Sequence, residues 1–286
     1  MKTKQRGSAW SIKLVFNLYK LLGYKFIYYL MYPVTFFYYL RATNVRNALE
    51  IYYKNIGIPF SNKIYFHHLR LFAITMVDRF IVKAAPQDYS FTYDNPERPL
   101  EIFSKASILL LSHFGGWASA SNVSRSTNKI NIVMQEALKD GIKDIEDSLE
   151  IKSTINIIDL NKGPIAVSIA IANALMNDEV VGIMGDRASN PNATLSLDFF
   201  GKKAKFNKNP FQIAYKMKVP MVAYFVVWTG MQEYKIEFLE IDLDQELKAD
   251  EAIEKAMKEY VQRYENLLKS HPNQWLNFYD FWEIQD

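Results

Sequence analysis

The fold of this chain is indicated most clearly by the stretch Ser107-Ile-Leu-Leu-Leu-Ser-His113-Phe-Gly-Gly-Trp-Ala-Ser-Ala-Ser121. Residues 107–112 are almost entirely apolar, a pattern typical of a short strand that is buried on both faces of a sheet. The strand ends at His113, and the small residues from Ala118 to Ser121 favour a helix that starts close to the sheet. Open α/β sheets bind their ligands at the carboxyl ends of the strands. We therefore expect His113 to lie at a ligand-binding edge.

Strand and helix patterns alternate along the rest of the chain. This alternation predicts an α/β fold with a mostly parallel central sheet and helices on both of its faces. Residues 88–99 are expected to be a polar connection. Further strands are predicted at residues 130–135, 155–160, 180–184, 221–227 and 234–241. Helices are predicted at residues 45–56, 65–82, 163–176 and 245–271.

Basic residues are concentrated in the first third of the chain. Residues 1–85 contain thirteen Lys or Arg and only two acidic residues, whereas the net charge of all 286 residues is +3. A basic and aromatic segment suits either nucleic acid or an anionic membrane surface. The chain contains no cysteine, which excludes disulfides, thiolate metal sites and a cysteine nucleophile.

The segment from residue 10 to residue 40 indicates a membrane surface rather than nucleic acid as the partner, because its basic residues are interleaved with apolar ones. Twelve of its thirty-one residues are Trp, Phe or Tyr, which prefer the level of the lipid headgroups. Its longest apolar run, residues 26–40, is shorter than the roughly 20 residues that span a bilayer. We predict that residues 1–42 form a membrane-associated helical anchor, broken near Pro33, and that residues 43–286 form the α/β domain. A single spanning helix and a helix packed on the protein's own core are the alternatives, and no nucleic-acid partner is expected.

His113 suits acid–base chemistry, because imidazole titrates near working pH and can accept a proton from a hydroxyl. The alternative is that His113 only caps a strand and bonds the backbone. The segment from Ser112 to Trp117 resembles the His-x-Gly-Asn-Trp-Glu signature of the lipid A late acyltransferases, within the lysophospholipid acyltransferase superfamily. This resemblance implies that His113 is the general base and that an acidic residue five positions later orients it. Position 118 is alanine here.

Two later segments also resemble elements of that family. Gly185-Asp186-Arg187 follows a predicted strand and matches the family's Asp-Gln or Asp-Arg pair, which implies that Arg187 lies near the chemistry. The stretch 197–204 resembles the family's Phe-Phe-Gly-x-x-Ala element, and Phe199 and Phe200 either line an acyl-chain channel or pack in the core. The tail 269–275 resembles the family's His-Pro-x-Gln-Trp, where a structural role is expected for His271.

The resemblance implies transfer of a fatty acyl chain from an acyl carrier protein thioester to a hydroxyl of an envelope lipid or glycolipid, similar to lipid A. It implies no cofactor, and a place on the cytoplasmic face of the bacterial inner membrane. The catalytic positions are then His113, position 118 and Arg187, with backbone N–H groups after Gly115 at the oxyanion. Lysines at 202, 203, 205 and 208 are a candidate surface for the carrier protein or for lipid phosphates. The candidate substrate-binding residues are Gly115, Gly116, Trp117, Asp186, Phe199, Phe200, Gly201, Lys203, Lys205 and Lys208.

Ala118 leaves three interpretations open. It is an introduced substitution in an otherwise active enzyme, or a natural residue with another acid reaching His113 from elsewhere. The third interpretation is a catalytically inactive relative that binds lipid at the membrane.

Other classes of site are not indicated by the sequence. There is no Gly-x-Ser-x-Gly elbow, phosphate-binding loop or dinucleotide fingerprint. His67 and His68 are adjacent within a helical pattern and cannot share one face as metal ligands, and no metal site is expected. The pair Asp78-Arg79 is expected to be a salt bridge on a helix surface.

Overall fold

The structure is a computed structural model. It describes residues 9–95, 97–117, 128–135, 155–187 and 190–282. Ala118 and the helix expected from residue 118 onward lie outside these ranges.

Each helix and strand that was predicted within the described residues is present, with bounds that differ by a few residues. Five further elements, at residues 90–93, 97–102, 194–199, 202–207 and 209–217, were not predicted. The helices are α1 (Ala9–Arg41), α2 (Thr43–Asn55), α3 (Asn62–Ala84), α4 (Glu97–Ile102), α5 (Pro164–Met176), α6 (Asn209–Met217) and α7 (Ala249–Ser270). The strands are β1 (Ser90–Tyr93), β2 (Ser107–Leu111), β3 (Ile130–Met134), β4 (Ile155–Asp159), β5 (Val180–Met184), β6 (Thr194–Phe199), β7 (Lys202–Asn207), β8 (Met221–Gly230) and β9 (Glu233–Ile241).

In the part of the chain that the structure describes, the central sheet has seven strands in the order β1-β9-β8-β2-β5-β3-β4. Every neighbouring pair is parallel except β8 and β9, which form an antiparallel hairpin. Helices pack on both faces, so the expected α/β class with a mostly parallel sheet is confirmed. The edge strand β1 lies in the segment that was expected to be a polar connection. Its four residues alternate in burial and pair with β9, a partner far away in the sequence.

Strand β2 is central, and both of its faces are buried. Ile108 and Leu110 belong to the large core beneath α5, α6 and α7. Leu109 and Leu111 face the opposite side and pack with Phe103, at the end of α4. This two-sided burial explains why the strand reads as a continuous apolar run rather than as an alternating one.

Helix α1 is kinked at Gly23, whose φ of 75° and ψ of 175° are not helical. The predicted break near Pro33 is therefore wrong, because Pro33 lies inside the second half of the helix. Glycine tolerates positive φ without a steric penalty, whereas proline already has the φ of a helix. One face of α1, including Ile27 and Met31, is buried against α3 and the sheet.

The opposite face of α1 is apolar but exposed. Its large side chains recur at three- and four-residue spacing through the second half of the helix. Exposed residues on this face include Leu22, Phe26, Tyr29, Phe36, Phe37 and Leu40. We call this set the outer face of α1. Within the described residues, no helix is both long enough and apolar enough to cross a bilayer.

Asp78 of α3 is fully buried, so its predicted role in a surface salt bridge is wrong. Its carboxylate accepts hydrogen bonds from the hydroxyls of Tyr24 at 2.6 Å, Tyr89 at 2.9 Å and Tyr234. Polar groups in a core are stable only when they are paired in this way. The cluster joins α1, α3 and β9.

Strands β6 and β7 form a separate antiparallel hairpin, which was not predicted from the sequence. Phe200 and Gly201 form its turn, and both have positive φ, 52° and 74°. Two consecutive residues with positive φ are typical of a type I′ hairpin.

Candidate active site

The site is built where β2 and β5 end side by side. The parallel register pairs Leu111 with Met184, so two residues further on His113 lies opposite Asp186. The N–H of Gly185 donates to the carbonyl of Leu111 at 2.8 Å and extends the ladder to this point. The side chain of His113 is 25% exposed, whereas that of Asp186 is fully buried.

Asp186 holds His113 through both its ring and its backbone. Nδ1 of His113 lies 3.0 Å from Oδ1 and 3.1 Å from Oδ2 of the carboxylate. The backbone N–H of His113 donates to Oδ2 at 2.9 Å. The ring therefore bonds a carboxylate rather than the backbone, which argues against the simple strand-capping interpretation of His113.

The electrostatics around Asp186 favour its ionised form. Burial raises the pKa of the Asp186 carboxyl, but His113, by charge and hydrogen bonding, and the charge of Arg187 lower it, and the net pKa is below the ordinary value. An ionised carboxylate only accepts hydrogen bonds, so Nδ1 of His113 carries the shared proton. In the neutral ring Nε2 is then the nitrogen with a free lone pair.

Gly115 and Gly116 have packing roles that only glycine can fill. A Cβ at Gly115, where φ is 52°, would collide with the carbonyl of Val226, and one at Gly116 would collide with the ring of Tyr234. The N–H of Gly115 donates to the carbonyl of Gln274 at 2.8 Å, and that of Gly116 donates to Val226 at 2.9 Å. The expectation that the amide of Gly116 meets an oxyanion is therefore wrong, because this N–H is already used.

The C-terminal segment after α7 holds the turn that follows His113. Leu276 donates its N–H to the carbonyl of His113 at 2.8 Å, and Trp275 forms a bridge with Phe114. Gln274 bonds both the N–H and the carbonyl of Trp228 with its side chain, at 2.9 Å each. The family-like tail is thus a structural brace for the site.

His68 supports the same segment from beneath. Its Nε2 lies 2.7 Å from the carbonyl of Trp275 and its Nδ1 lies 3.1 Å from the hydroxyl of Tyr53. Burial lowers the pKa of His68 to about 4, so the ring is neutral and donates from Nε2. His271 ends α7 with its backbone N–H on the carbonyl of Leu267. In the described ranges, no group of three or more His, Asp or Glu side chains could hold a metal ion.

The side chain of Arg187 is held in place by hydrogen bonds to residues that were not predicted from the sequence to contact it. Its Nη2 donates to the carbonyl of Leu276 at 3.2 Å and to the side-chain oxygen of Asn277. The guanidinium lies 5.0 Å from the ring centre of Tyr279. Asn277 is 1% exposed. The presence of an asparagine within an aromatic tail could have indicated this contact from the sequence, because an amide side chain that becomes buried needs a polar partner.

Phe199 packs in the core, one of the two roles expected for it. It is fully buried against the rings of Phe206, Tyr264 and Trp282. Phe200 is partly exposed, and its backbone N–H donates to Glu265 of α7.

The lysines of the hairpin do not form one continuous patch. Lys202 donates to Asn55 of α2 at 2.7 Å, and Lys203 pairs with Asp198 at 2.9 Å. The alternation of β7 puts Lys203 and Lys205 on one face of the hairpin and Lys202 on the other. Lys208 follows at the end of β7, where Asn207 bonds the carbonyls of Met184 and Gly185 beside the site.

Trp117 lies close to His113, with the centres of the two rings 6.4 Å apart and an angle of 69° between their planes. His113, Asp186, Arg187, Gly115, Gly116 and Trp117 are therefore brought together at one sheet edge. The turn at Phe200 and Gly201 contacts α7 instead.

The chain belongs to the bacterial lipid A biosynthesis acyltransferase family, whose sequence profile matches residues 104–283. This match confirms the family that the signature around His113 resembled. Among solved structures, the chain is similar to the crystal structure of the 1-acyl-sn-glycerophosphate (LPA) acyltransferase PlsC from Thermotoga maritima. The two share 15% sequence identity with a TM-score of 0.41, over 86% of this chain and 98% of that chain. No curated protein sequence matches the chain.

Proposed function

We propose that this protein transfers a fatty acyl chain from an acyl carrier protein thioester to a hydroxyl of an envelope lipid or glycolipid, similar to lipid A. Membership of the lipid A acyltransferase family supports acyl transfer as the reaction class. The observation that carries the proposal is His113, a partly exposed imidazole at the end of a buried strand with Nδ1 already engaged. Its remaining nitrogen suits the general base of such a reaction.

In the proposed step, Nε2 of His113 takes the proton of the acceptor hydroxyl as its oxygen attacks the thioester carbonyl carbon. The new C–O bond forms and the C–S bond breaks. The proton then passes from the imidazolium to the thiolate of the carrier protein. The products are an ester and a free carrier thiol, so no cofactor is consumed.

Arg187 is proposed to stabilise the negative charge that develops on the carbonyl oxygen. Its guanidinium is held by Leu276 and Asn277, and its charge acts on Asp186. A fixed cation next to a partly buried site is worth more than one in free solution, because it needs no reorganisation during the reaction. The amides of Gly115 and Gly116 are engaged elsewhere, which leaves a larger share of this role to Arg187.

The substrates are proposed to approach from two sides. The ring of Trp117 is partly buried and lies 6.4 Å from that of His113, so it suits contact with the acyl chain or acceptor. Lys203 and Lys205 lie on one face of β7, and Lys208 follows the end of this strand, where Asn207 bonds the carbonyl of Met184 at the end of β5. Such positive charge suits an acidic carrier protein or the phosphates of the acceptor.

The outer face of α1 is proposed to lie on the membrane, on the cytoplasmic side of the inner membrane. The buried face packs on the α/β core while the aromatic outer face is exposed. Large exposed apolar surfaces flanked by basic residues suit the interface of an anionic bilayer. Residues 1–42 then act as an attachment element rather than as a separate catalytic unit.

The test is acyl transfer by detergent-solubilised protein from radiolabelled acyl carrier protein to an extract of envelope lipids. We expect a labelled lipid product, and a loss of about 10²–10⁴ in kcat for His113→Ala. His67→Ala is the matched control, because His67 is exposed on α3 and its ring contacts that of Phe66. Lipid binding without turnover by the unaltered protein would instead establish the inactive lipid-binding relative and overturn the proposal.

A further inference from the structure

The family signature requires an acidic residue five positions after its histidine, and this chain has Ala118 there. That acid normally fixes the tautomer of the histidine and stabilises the imidazolium. A chain without it either lacks the function or obtains it from another residue. The structure holds such a residue, because a carboxylate from a different strand already bonds the ring of His113.

We propose that Asp186 is the positioning carboxylate of His113, taking from the end of β5 the role that the family places at position 118. The inference rests on the proposed acyl transfer, since it concerns the base of that reaction. It follows that Ala118 is compatible with activity. It also means that Asp186 acts through His113 and does not bind substrate, as its complete burial requires.

The geometry of the contact is that of a positioning residue. Both carboxylate oxygens lie within 3.1 Å of Nδ1, and one of them also accepts the backbone N–H of His113. The ring and its own backbone are therefore tied to the same carboxylate. This double contact restricts the rotation of the ring and keeps Nδ1, rather than Nε2, directed at Asp186.

Asp186 is itself held rigidly. Gly185 before it bonds the carbonyl of Leu111, and Asn207 of the hairpin bonds the carbonyls of Met184 and Gly185. A Cβ at position 185 would press on the side chain of Leu110, so the turn stays close to β2. The carboxylate thus belongs to a turn that is fixed on two sides.

The charges around Asp186 keep it ionised. Burial raises the pKa of Asp186, but His113 and Arg187 face the carboxyl and lower its pKa below the ordinary value. Tyr260 and Tyr264 of α7 also face it, and their pKa values are raised well above the ordinary one by burial and then by its charge. These hydroxyls are therefore neutral, and the ionised carboxylate stabilises the imidazolium of His113 when the proton arrives.

The test compares Asp186→Asn with Asp178→Asn. The two aspartates flank the same strand, Asp186 two residues after β5 and Asp178 two residues before it. Asp178 is exposed, and its positive φ of 57° is as acceptable to Asn as to Asp. We expect Asp186→Asn to lower kcat by about 10²–10⁴ with little change in KM, by analogy with serine-protease triads. Asp178→Asn should leave both constants unchanged.

A second measurement does not depend on turnover. Nitrogen-15 NMR of histidine-labelled protein, assigned with His113→Ala, reports which ring nitrogen carries the proton. We expect the Nδ1–H tautomer in the unaltered protein and its loss in Asp186→Asn. The unaltered protein could transfer no acyl group and still have the Nδ1–H tautomer, with loss of that tautomer in Asp186→Asn. The proposed acyl transfer would then be wrong, whereas the positioning role of Asp186 would be supported.

Three results would overturn the inference. One is an Nε2–H tautomer of His113 in the unaltered protein. This result would contradict the positioning role of Asp186 even if the Asp186→Asn variant does not fold. Another is a folded Asp186→Asn protein whose kcat is within about threefold of normal, well short of the effect of losing an orienting carboxylate. The last is a gain of about 100-fold or more in kcat for Ala118→Glu, since that would mean that the orienting function was missing.

Discussion

Tyr24 of α1 donates a hydrogen bond to the buried carboxylate of Asp78, which lies 54 positions further along the chain. Tyr89 and Tyr234 donate to the same carboxylate. The ring of Tyr234 also occupies the space that a side chain at Gly116 would need. The proposed membrane helix and the turn after His113 are therefore connected through a single buried acid.

The first prediction concerns the stability of this cluster. Asp78→Ala would leave three buried hydroxyls without their acceptor, and each unpaired group costs roughly 1–3 kcal/mol. We expect the free energy of unfolding to fall by about 3 kcal/mol or more, measured by denaturant titration in detergent. Asp78→Asn keeps one acceptor oxygen and should cost less, and equal losses for both variants would contradict the role of the hydrogen bonds.

The same cluster predicts a pH dependence of stability. Burial raises the pKa of Asp78 to about 6, against the hydrogen bonds from Tyr234, Tyr24 and Tyr89, which lower it. The folded protein keeps the carboxyl proton of Asp78 to a higher pH than the unfolded chain does. The contribution of this group to the free energy of unfolding is therefore fully present below the unfolded pKa and is lost as pH rises through the folded pKa. Asp78→Asn should remove this part of the pH dependence between about pH 4 and 7.

The second prediction tests the outer face of α1. We expect the triple change Phe36→Ser, Phe37→Ser and Leu40→Ser to reduce cosedimentation with phosphatidylglycerol vesicles by at least about tenfold, because each large apolar side chain contributes roughly 1.5–3 kcal/mol on burial. Binding of the unaltered protein should also weaken with added salt, since basic residues contribute near an anionic surface.

The control for this prediction uses an apolar surface of the same kind elsewhere. Ile165, Ile169 and Met176 of α5 are exposed to 77%, 55% and 75%. Their replacement by serine should leave vesicle binding unchanged. If the α5 variant loses binding and the α1 variant keeps it, the membrane surface has been assigned to the wrong helix.

The third prediction compares two glycine-to-alanine changes, one that causes only backbone strain and one that also causes a collision between the new Cβ and other atoms. Gly115 and Gly163 both have positive φ, but only at Gly115 would a Cβ meet other atoms. Gly163, with φ 87° and ψ 160°, has a backbone conformation that is almost restricted to glycine, so Gly163→Ala should cost roughly 1–3 kcal/mol from strain alone. Gly115→Ala should cost several kcal/mol in thermal unfolding, because the carbonyl of Val226 has to move as well. Equal losses would mean that the turn after His113 is loosely packed.

The fourth prediction concerns Arg187. Arg187→Lys keeps the charge but loses the fork that bonds Leu276 and Asn277, so we expect kcat to fall by about 10–100-fold with KM nearly unchanged. Asn277→Ala should give a smaller loss of the same kind. The control is Arg98→Lys, at an exposed arginine that bonds Glu101 and Glu240 far from the site. Full activity of both Arg187→Lys and Asn277→Ala would exclude Arg187 from charge stabilisation.

The fifth prediction tests the hairpin lysines. Charge reversal of Lys203, Lys205 and Lys208 should raise the KM for acyl carrier protein or for a phosphorylated acceptor, and kcat should change little. A donor that carries the same acyl thioester on free phosphopantetheine distinguishes the two, because it lacks the carrier protein. Reversal at the exposed residues Lys216, Lys248 and Lys255 is the control. Unchanged kinetics in all variants would remove the hairpin from substrate recognition.

The elements of the central sheet were largely predictable from the sequence. Strand β5 was predicted with its observed bounds, and β2 differs from its prediction by one residue. Such runs are recognisable because burial on both faces requires consecutive apolar residues. Strand β1 was not recognised, because a short edge strand carries a polar pattern and owes its conformation to pairing with β9.

The site was predictable in part. His113, Asp186 and Arg187 were all selected from local patterns, since each follows an apolar strand. The pairing of His113 with Asp186 was not predicted, and neither was the part played by Asn277. Both depend on contacts between residues at least 73 positions apart.

The sequence by itself determined the α/β class, the membership of the acyltransferase family and the placing of a histidine at a strand end. These properties follow from local periodicity and from a signature of consecutive residues. Only the tertiary structure decided which acid meets that histidine, because strand order in a sheet is set by packing between distant segments. It likewise decided that α1 bends at Gly23 and that Asp78 is buried, since both depend on what the helices pack against.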